Sequence, residues 1–385
     1  MVWPGAVYHP PGIAVKEGYF LRRCFGKYNY VTGSHRAFTN SAEDSGWHRF
    51  ASAESCKSLA RIYIYTADDC NDSDVSRIES VLAEEIFNRE PIRNGIEIQI
   101  TKGLHMREID VSEITNAIRE LCIEANHTLT PDMKEALDRA AVTEESPLGK
   151  QILEQLEENL VIAKEDMIPI CQDTGMAVVY LEVGQDVHFT GGLLEDAVNE
   201  GVRQGYVDGF LRKSVVSDPI ERVNTGDNTP AVLHYFPAAG DRVKITVAPK
   251  GFGSENMSRV FMLKPADGIE GVKNAVLSAV RDAGPNACPP MVVGVGIGGT
   301  FEKCALLSKM ALLRKAGEHS EIPYVAEMEK ELLERINQTG IGPGGLGGVT
   351  TALAVNVLTY PTHIAGLPVA VNICCHVNRH AVREL

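Results

Sequence analysis

Met291-Val-Val-Gly-Val-Gly-Ile-Gly-Gly-Thr-Phe-Glu-Lys-Cys-Ala-Leu-Leu-Ser-Lys309 is the stretch on which the fold turns. Met291 to Ile297 is a short, continuously apolar run of strand length, and the residues from Thr300 to about Lys315 read as a helix. A buried strand leading through a glycine turn into a helix is a building unit of α/β proteins. The glycines also match the spacing of a dinucleotide fingerprint, which needs a second strand ending in Asp or Glu about twenty residues on. That region reads Lys315-Ala-Gly-Glu-His-Ser-Glu-Ile-Pro and runs into another helix. A nicotinamide-dependent oxidoreductase therefore stays an alternative, and a tight strand-to-helix turn is preferred.

Outward from this stretch the chain alternates helices and strands. Thr130-Pro131 and Ser146-Pro147 each place a capping residue before a proline at the first helical position, opening helices over Met133 to Val142 and Leu148 to Lys164. Further helices are expected at Leu193 to Leu211, Ile269 to Asp282 and Val325 to Ile336. Strands are expected at Ala177 to Val183, Val232 to Phe236, Val243 to Ala248, Thr351 to Leu358 and Val369 to Ile373. Val232 to Ala248 reads as an antiparallel hairpin about Ala239-Gly240-Asp241. The fold class is thus α/β of mixed α+β kind, with mixed or antiparallel sheets flanked by helices. The character changes near Met106. Before it, a helix is expected at Asp74 to Asn88 and a short strand at Ile96 to Ile100, and the division drawn is 1–105 and 106–385.

The net charge of −14 argues against non-specific nucleic-acid binding, which needs a basic face. It leaves room for a small dianionic substrate held by local cations. No apolar run is long enough to span a bilayer and the first residues lack a basic leader, so a cytoplasmic protein is expected. Nine cysteines then read as thiols, available as metal ligands or buried apolar groups.

Three cysteines fall beside strands, where α/β proteins build sites. Cys171 lies in Ile170-Cys171-Gln172-Asp173-Thr174-Gly175, Cys288 in Asn286-Ala287-Cys288-Pro289-Pro290, and Cys375 directly after the last apolar run. Position alone leaves open a shared metal site and three unrelated buried thiols. Cys122 and Cys304 sit in helical patterns and read as core. Strand alternation should turn Cys374 away from Cys375. Gly342-Pro343-Gly344-Gly345-Leu346-Gly347-Gly348 lacks a P-loop lysine and reads as a turn or a close backbone approach.

Together, ICQDTG (170–175), FLRKS (210–214), VNTGDNTPA (223–231), PKGFGSENMS (249–258), NACPPMVVGVGIGGTFEKCALLSK (286–309), IGPGGLGG (341–348), THIAGLPVAVN (362–372) and CHVNRHA (375–381) resemble the α subunit of class I fumarate hydratase. The related L-tartrate dehydratase α subunit shares the cysteine loops, while GFGSEN, FEKCALLSK and CHVNRHA look closer to the fumarase version. The resemblance implies that Cys171, Cys288 and Cys375 bind a [4Fe–4S] cluster with one iron left without cysteine. It implies reversible hydration of fumarate to (S)-malate. Gln172, Arg212 and Gly253 become substrate-binding residues, and Asp173 and His363 a catalytic pair for proton transfer. Read singly, each of these would more often be a structural residue.

In single-chain relatives a second domain follows the CH-x-x-RHA segment. Here the chain stops at Leu385, so the expectation is one half of a split enzyme, completed by a β subunit in a higher-order heteromer. Residues 1–105 match nothing in the family. A start codon placed too far upstream is the preferred explanation and an accessory extension the alternative. Two rival functions stand beside the fumarase reading: tartrate dehydratase α subunit, and a non-catalytic iron–sulfur sensor or scaffold, which would not need a substrate-binding set.

Overall fold

The computed structural model describes residues 106–385, together with the backbone of three earlier strands. The chain divides into two compact units, Met1–Met106 and Arg107–Leu385. In the first, β1 (Asn29–Thr32) pairs antiparallel with β2 (Ala60–Thr66), which runs parallel to β3 (Ile96–Lys102). The expected strand at Ile96 to Ile100 falls within β3. The expected helix at Asp74 to Asn88 lies outside the described residues.

The second unit runs β4 (Arg107–Asp110), α1 (Val111–His127), α2 (Pro131–Thr143), α3 (Pro147–Glu165), β5 (Met176–Gly184), β6 (Val187–Thr190) and α4 (Leu194–Asp208). It continues with β7 (Val232–Ala238), β8 (Val243–Lys250), α5 (Phe252–Glu255), β9 (Arg259–Leu263), α6 (Gly268–Ala283), β10 (Met291–Gly298) and α7 (Phe301–Ala311). It closes with α8 (Pro323–Asn337), β11 (Ala352–Tyr360), β12 (Leu367–Cys374) and β13 (Ala381–Glu384). Two four-stranded sheets form, ordered β13-β8-β5-β7 and β11-β10-β12-β9, with a separate β4-β6 ladder. Both sheets mix directions: β5 is parallel to β7 and antiparallel to β8, and β10 is parallel to β11 and antiparallel to β12. The mixed α/β class expected from the sequence is what forms.

The expected hairpin does not. β7 and β8 are joined by the turn at Gly240, but β5 lies between them. β5 is buried on nearly every residue and takes the sheet interior, where strands covered on both faces belong. The connection crosses the end of β5 at Gly184, where a Cβ would sit 2.2 Å from the Gly240 oxygen.

Helix α1 went unassigned in the sequence reading. Its apolar face, Ile114, Ala117, Ile118, Leu121, Cys122 and Ala125, has helical spacing and is fully buried. Asp110 caps it by accepting the Ser112 N–H at 2.8 Å. It lies close against α4, since a Cβ on Gly205 would come within 2.8 Å of the Cys122 Cβ. In the second sheet, Met291, Val293 and Val295 of β10 point into a core shared with α6 and α8. The intervening Gly294 and Gly296 face α7, which lies so close that a Cβ on either would stand 2.1 Å from a carbonyl oxygen of that helix. These glycines serve helix packing. A third apolar cluster joins α2 and α3 to Val292, Leu312 and Cys374. Among the described residues, no helix is long and apolar enough to cross a membrane.

Candidate active site

Antiparallel pairing of β10 with β12 sets Val292 opposite Cys374. Cys288, just before β10, and Cys375, just after β12, therefore emerge at the same end of that sheet. The imidazole Nδ1 of His376 lies 3.1 Å from the Cys288 carbonyl, tying the two loops together. Cys171 arrives from the other sheet, in the loop between α3 and β5. It packs with Cys375 on one apolar cluster. The Cys288 thiol is pushed up by burial and by the neighbouring Cys171 sulfur.

The Cys171 loop is held by buried polar groups. Arg379, itself buried, donates from its guanidinium to the Asp173 carbonyl, linking the loop after β12 to this one. The Tyr206 hydroxyl reaches the carbonyls of Thr174 and Gly175, each at 2.9 Å. The Cys171 sulfur accepts the Asp173 N–H at 3.4 Å. Gly175 has φ +76° and lies against the Lys250 backbone, so only a residue without Cβ fits there.

The Cys288 loop leans on the glycine-rich segment 342–348. Gly344 N–H donates to the Pro289 carbonyl at 2.8 Å, and a Cβ on Gly345 would meet the Pro285 Cβ at 2.3 Å. Glu144 anchors the far side of that segment. Its buried carboxylate accepts N–H groups from Glu145 and Ser146 and, across the fold, from Val349 at 3.0 Å and Thr350 at 2.8 Å. Burial alone would raise this carboxyl; the N–H groups of Ser146, Val349 and Thr350 outweigh it and hold the group below its ordinary range. The segment is thus a buttress for Cys288.

Cys374 is buried against the α7 side of its strand, where it lines a small cavity with Tyr180, Lys250, Lys309 and Arg379. Cys375 stands beyond the strand end and is partly exposed. The separation is incomplete, because the two thiols are near enough to influence each other. Cys122 and Cys304 are buried in α1 and α7 as expected, and burial pushes the Cys122 thiol up to about 12.

Of the remaining expected residues, Gln172 and Arg212 are exposed beside the Cys171 loop, and the Thr174 hydroxyl donates to the Arg212 carbonyl at 3.0 Å. Gly253 in α5 is exposed, and a Cβ there would lie 4.0 Å from the Asn286 oxygen on the Cys288 loop. Asp173 uses both carboxylate oxygens on backbone N–H groups, Gly175 at 3.1 Å and Phe252 at 2.8 Å.

His363 does not join them. It precedes β12 while Cys375 follows it, and eight residues of strand at about 3.3 Å each put roughly 25 Å between those ends. The expected Asp173–His363 pair is therefore not formed within one chain. His363 is exposed on the loop before β12, its Nδ1 accepting the Ala365 N–H at 3.2 Å.

Among the described residues, no three His, Cys, Asp or Glu side chains converge on the position of a single metal ion. A multi-iron cluster asks for thiolates on different irons, and three thiols from three neighbouring loops fit that donor set. Backbone geometry singles out Cys288 again, together with two residues that the sequence reading did not single out. Phe210, Asn228 and Cys288 all adopt positive φ, at 52°, 65° and 51°, in the loops that build this region. Such conformations in residues other than glycine concentrate at functional sites.

A family model described as fumarate hydratase (Fumerase) matches residues 115–384. A Methanocaldococcus jannaschii protein, provisionally named L(+)-tartrate dehydratase subunit alpha, is 43% identical over 279 residues, covering 71% of this chain and 98% of its own. The L(+)-tartrate dehydratase subunit alpha of Escherichia coli is 32% identical over 273 residues, covering 70% of this chain and 89% of its own.

Proposed function

The chain belongs to the fumarate hydratase family of hydro-lyases, and from that premise we propose that it is the α subunit of a [4Fe–4S]-dependent enzyme hydrating fumarate to (S)-malate. The observation that carries the reading is the gathering of the Cys171, Cys288 and Cys375 loops, with Gln172 and Arg212 beside them. Cys171, Cys288 and Cys375 would hold the cluster, which when bound supplies a Lewis-acidic iron lacking a thiolate. Arg212 offers a carboxylate a bidentate fork, Gln172 an amide, and Gly253 a close approach of backbone. Asp173, its carboxylate oriented by the N–H groups of Gly175 and Phe252, holds or accepts the proton moved at the neighbouring carbon. His363 acts, on this reading, only where another chain brings its own site to that loop.

A dianion buried against Arg212 alone would be poorly compensated, so a β subunit is proposed to bring further cations and close the site against water. The names of the two relatives, each a subunit alpha, support such a partner. Those names also favour a second reading, L(+)-tartrate as the substrate. All these residues lie in Arg107–Leu385, and residues 1–105 are proposed to be dispensable for cluster uptake.

Anaerobic co-expression with the β chain, then assay of fumarate hydration, (S)-malate dehydration and L(+)-tartrate dehydration, decides among these. Fumarate turnover by the pair and little by the cluster-loaded α chain is expected. Turnover of tartrate alone moves the assignment to the second reading. Equal rates with and without β would end the split-site proposal, and a chain starting at Met106 that cannot take up iron would refute dispensability.

A further inference from the structure

Asn228 has no role in the site as drawn above, yet it is fully buried and its backbone sits at φ 65°. Both ends of its amide are used. Oδ1 accepts the Ser214 N–H at 2.7 Å, and Nδ2 donates to the Gly175 carbonyl at 3.2 Å. One side chain thereby bridges the segment that carries Arg212 and the loop that carries Cys171. Thr174 adds a second bridge through the Arg212 carbonyl, and the Tyr206 hydroxyl holds the Thr174 and Gly175 carbonyls from behind. On the other side, the Asn224 amide donates to the Lys213 carbonyl at 3.0 Å. Asp227 accepts the N–H and hydroxyl of Thr229 and so shapes the turn that presents Asn228.

The backbone beneath Arg212 is therefore clasped to the cysteine loop at residues 212 and 214 and steadied by Asn224 at 213, while the guanidinium itself meets no carboxylate among the described residues. We propose that Asn228 is a positioning residue that fixes the spacing between the Arg212 guanidinium and the Cys171 loop, and so sets the length of dicarboxylate the site accepts. This rests on the reading that Arg212 binds a substrate carboxylate. A clasp through a buried amide suits the task because it acts at both ends at once. Aspartate is isosteric and tolerates positive φ, but it keeps the acceptor for Ser214 and loses the donor for Gly175.

The test uses the α/β holoenzyme and a four-carbon dicarboxylate. Asn228→Asp and Asn228→Ala should each raise KM about tenfold or more, with a smaller change in kcat and an unchanged iron content per α chain. A three-carbon or five-carbon dicarboxylate should inhibit these variants relatively better than wild type. In a double-mutant cycle, Asn228→Ala combined with Arg212→Met should be no worse than Arg212→Met alone, because Asn228 acts through Arg212. Hydrogen exchange at residues 210–216 should quicken in both Asn228 variants. An unchanged KM, or losses that multiply in the double variant, overturns the proposal. Loss of iron in Asn228→Asp also overturns it, by showing that the residue serves the cysteine loop. If Asn228→Ala fails to fold, Asn228→Asp carries the decision. A wild-type complex that turns over no four-carbon dicarboxylate brings down the functional reading itself, whereas an active wild type with indifferent variants brings down this inference alone.

Discussion

The two ends of the sheet β11-β10-β12-β9 are built by opposite means. At the cysteine end, loops are pinned by buried side chains that bond backbone groups far away in sequence: Glu144 to Val349 and Thr350, Arg379 to Asp173, Tyr206 to Thr174 and Gly175. At the other end, the loop before β12 is exposed: Pro361 and Thr362 bond the Gly299 backbone, and residues 363–366 are held by bonds close at hand, such as Gly366 N–H to the His363 carbonyl at 2.9 Å. It borders a half-open cavity of about 490 Å³ lined by Ile269, Val272, Ile297, Tyr324, Met328 and His363. The contrast teaches where rigidity comes from. Buried bonds between a side chain and a remote backbone group are costly to leave unmade, and short loop bonds in water are cheap to exchange.

Substitutions matched across the two ends test this, beginning with glycines. Gly175→Ala must force a Cβ to within 2.8 Å of the Lys250 backbone at φ +76°. A loss of about 3 kcal/mol or more in denaturant unfolding, with failure to retain iron, is expected. Gly366→Ala at the open end meets nothing nearer than 3.8 Å and should change stability by about 0.5 kcal/mol or less. Equal effects at both ends would erase the distinction.

Next in size is Glu144→Gln. It leaves N–H groups of the buttress poorly satisfied and should cost about 2 kcal/mol, read in urea at neutral pH. The folded carboxyl lies below its unfolded value of 4.5. Its contribution is therefore complete above about pH 4.5 and is lost as pH falls through the lower folded value. Wild type should lose this margin on acidification, and the Gln variant should lack that part of the pH dependence. Parallel acid profiles would remove Glu144 from the account.

The third comparison lies within the cysteine end. Cys375→Ala should lose cluster absorbance and iron, while Cys374→Ala should keep most of both and lose about 1 kcal/mol of packing. The reverse pattern would reassign the ligand. Smallest of all, His363→Gln should leave iron content and the unfolding midpoint unchanged, within about 0.5 kcal/mol. A drop in iron content there would mean that the two ends communicate.

Much of the fold was legible because its signals are local. Proline after a capping residue announced α2 and α3, and apolar runs announced β5, β8, β10, β11 and β12. Cys171, Cys288 and Cys375 were legible as loop residues because each lies beside such a run. What failed needed long-range information. Gly240 does turn the chain, yet nothing between Val232 and Ala248 says that β5 will enter between the two strands. His363 sits next to β12 in sequence, and adjacency does not tell that the strand carries its two ends apart. Glu144 and Asn228 escaped notice because their partners are backbone groups, which every residue carries. Only the fold reveals which of them lie within reach.

The position of β12 in its sheet has a consequence in time. β9 pairs with no strand but β12 among the described residues, and β12 also completes the pairing of β10. Yet β12 follows β9 by roughly a hundred residues, which at synthesis rates of about 5–20 residues per second is a wait on the order of 5–20 s. Through that interval β9 offers an open edge and Cys288 waits without Cys375. The nascent chain is then at its most vulnerable to strand addition from a neighbour and to oxidation of an unpartnered thiol. If Cys171, Cys288 and Cys375 hold a cluster as proposed, delivery before β12 has docked would find an incomplete set of ligands. On the proposed function, maturation is therefore set by β12, however early the first cysteine emerges.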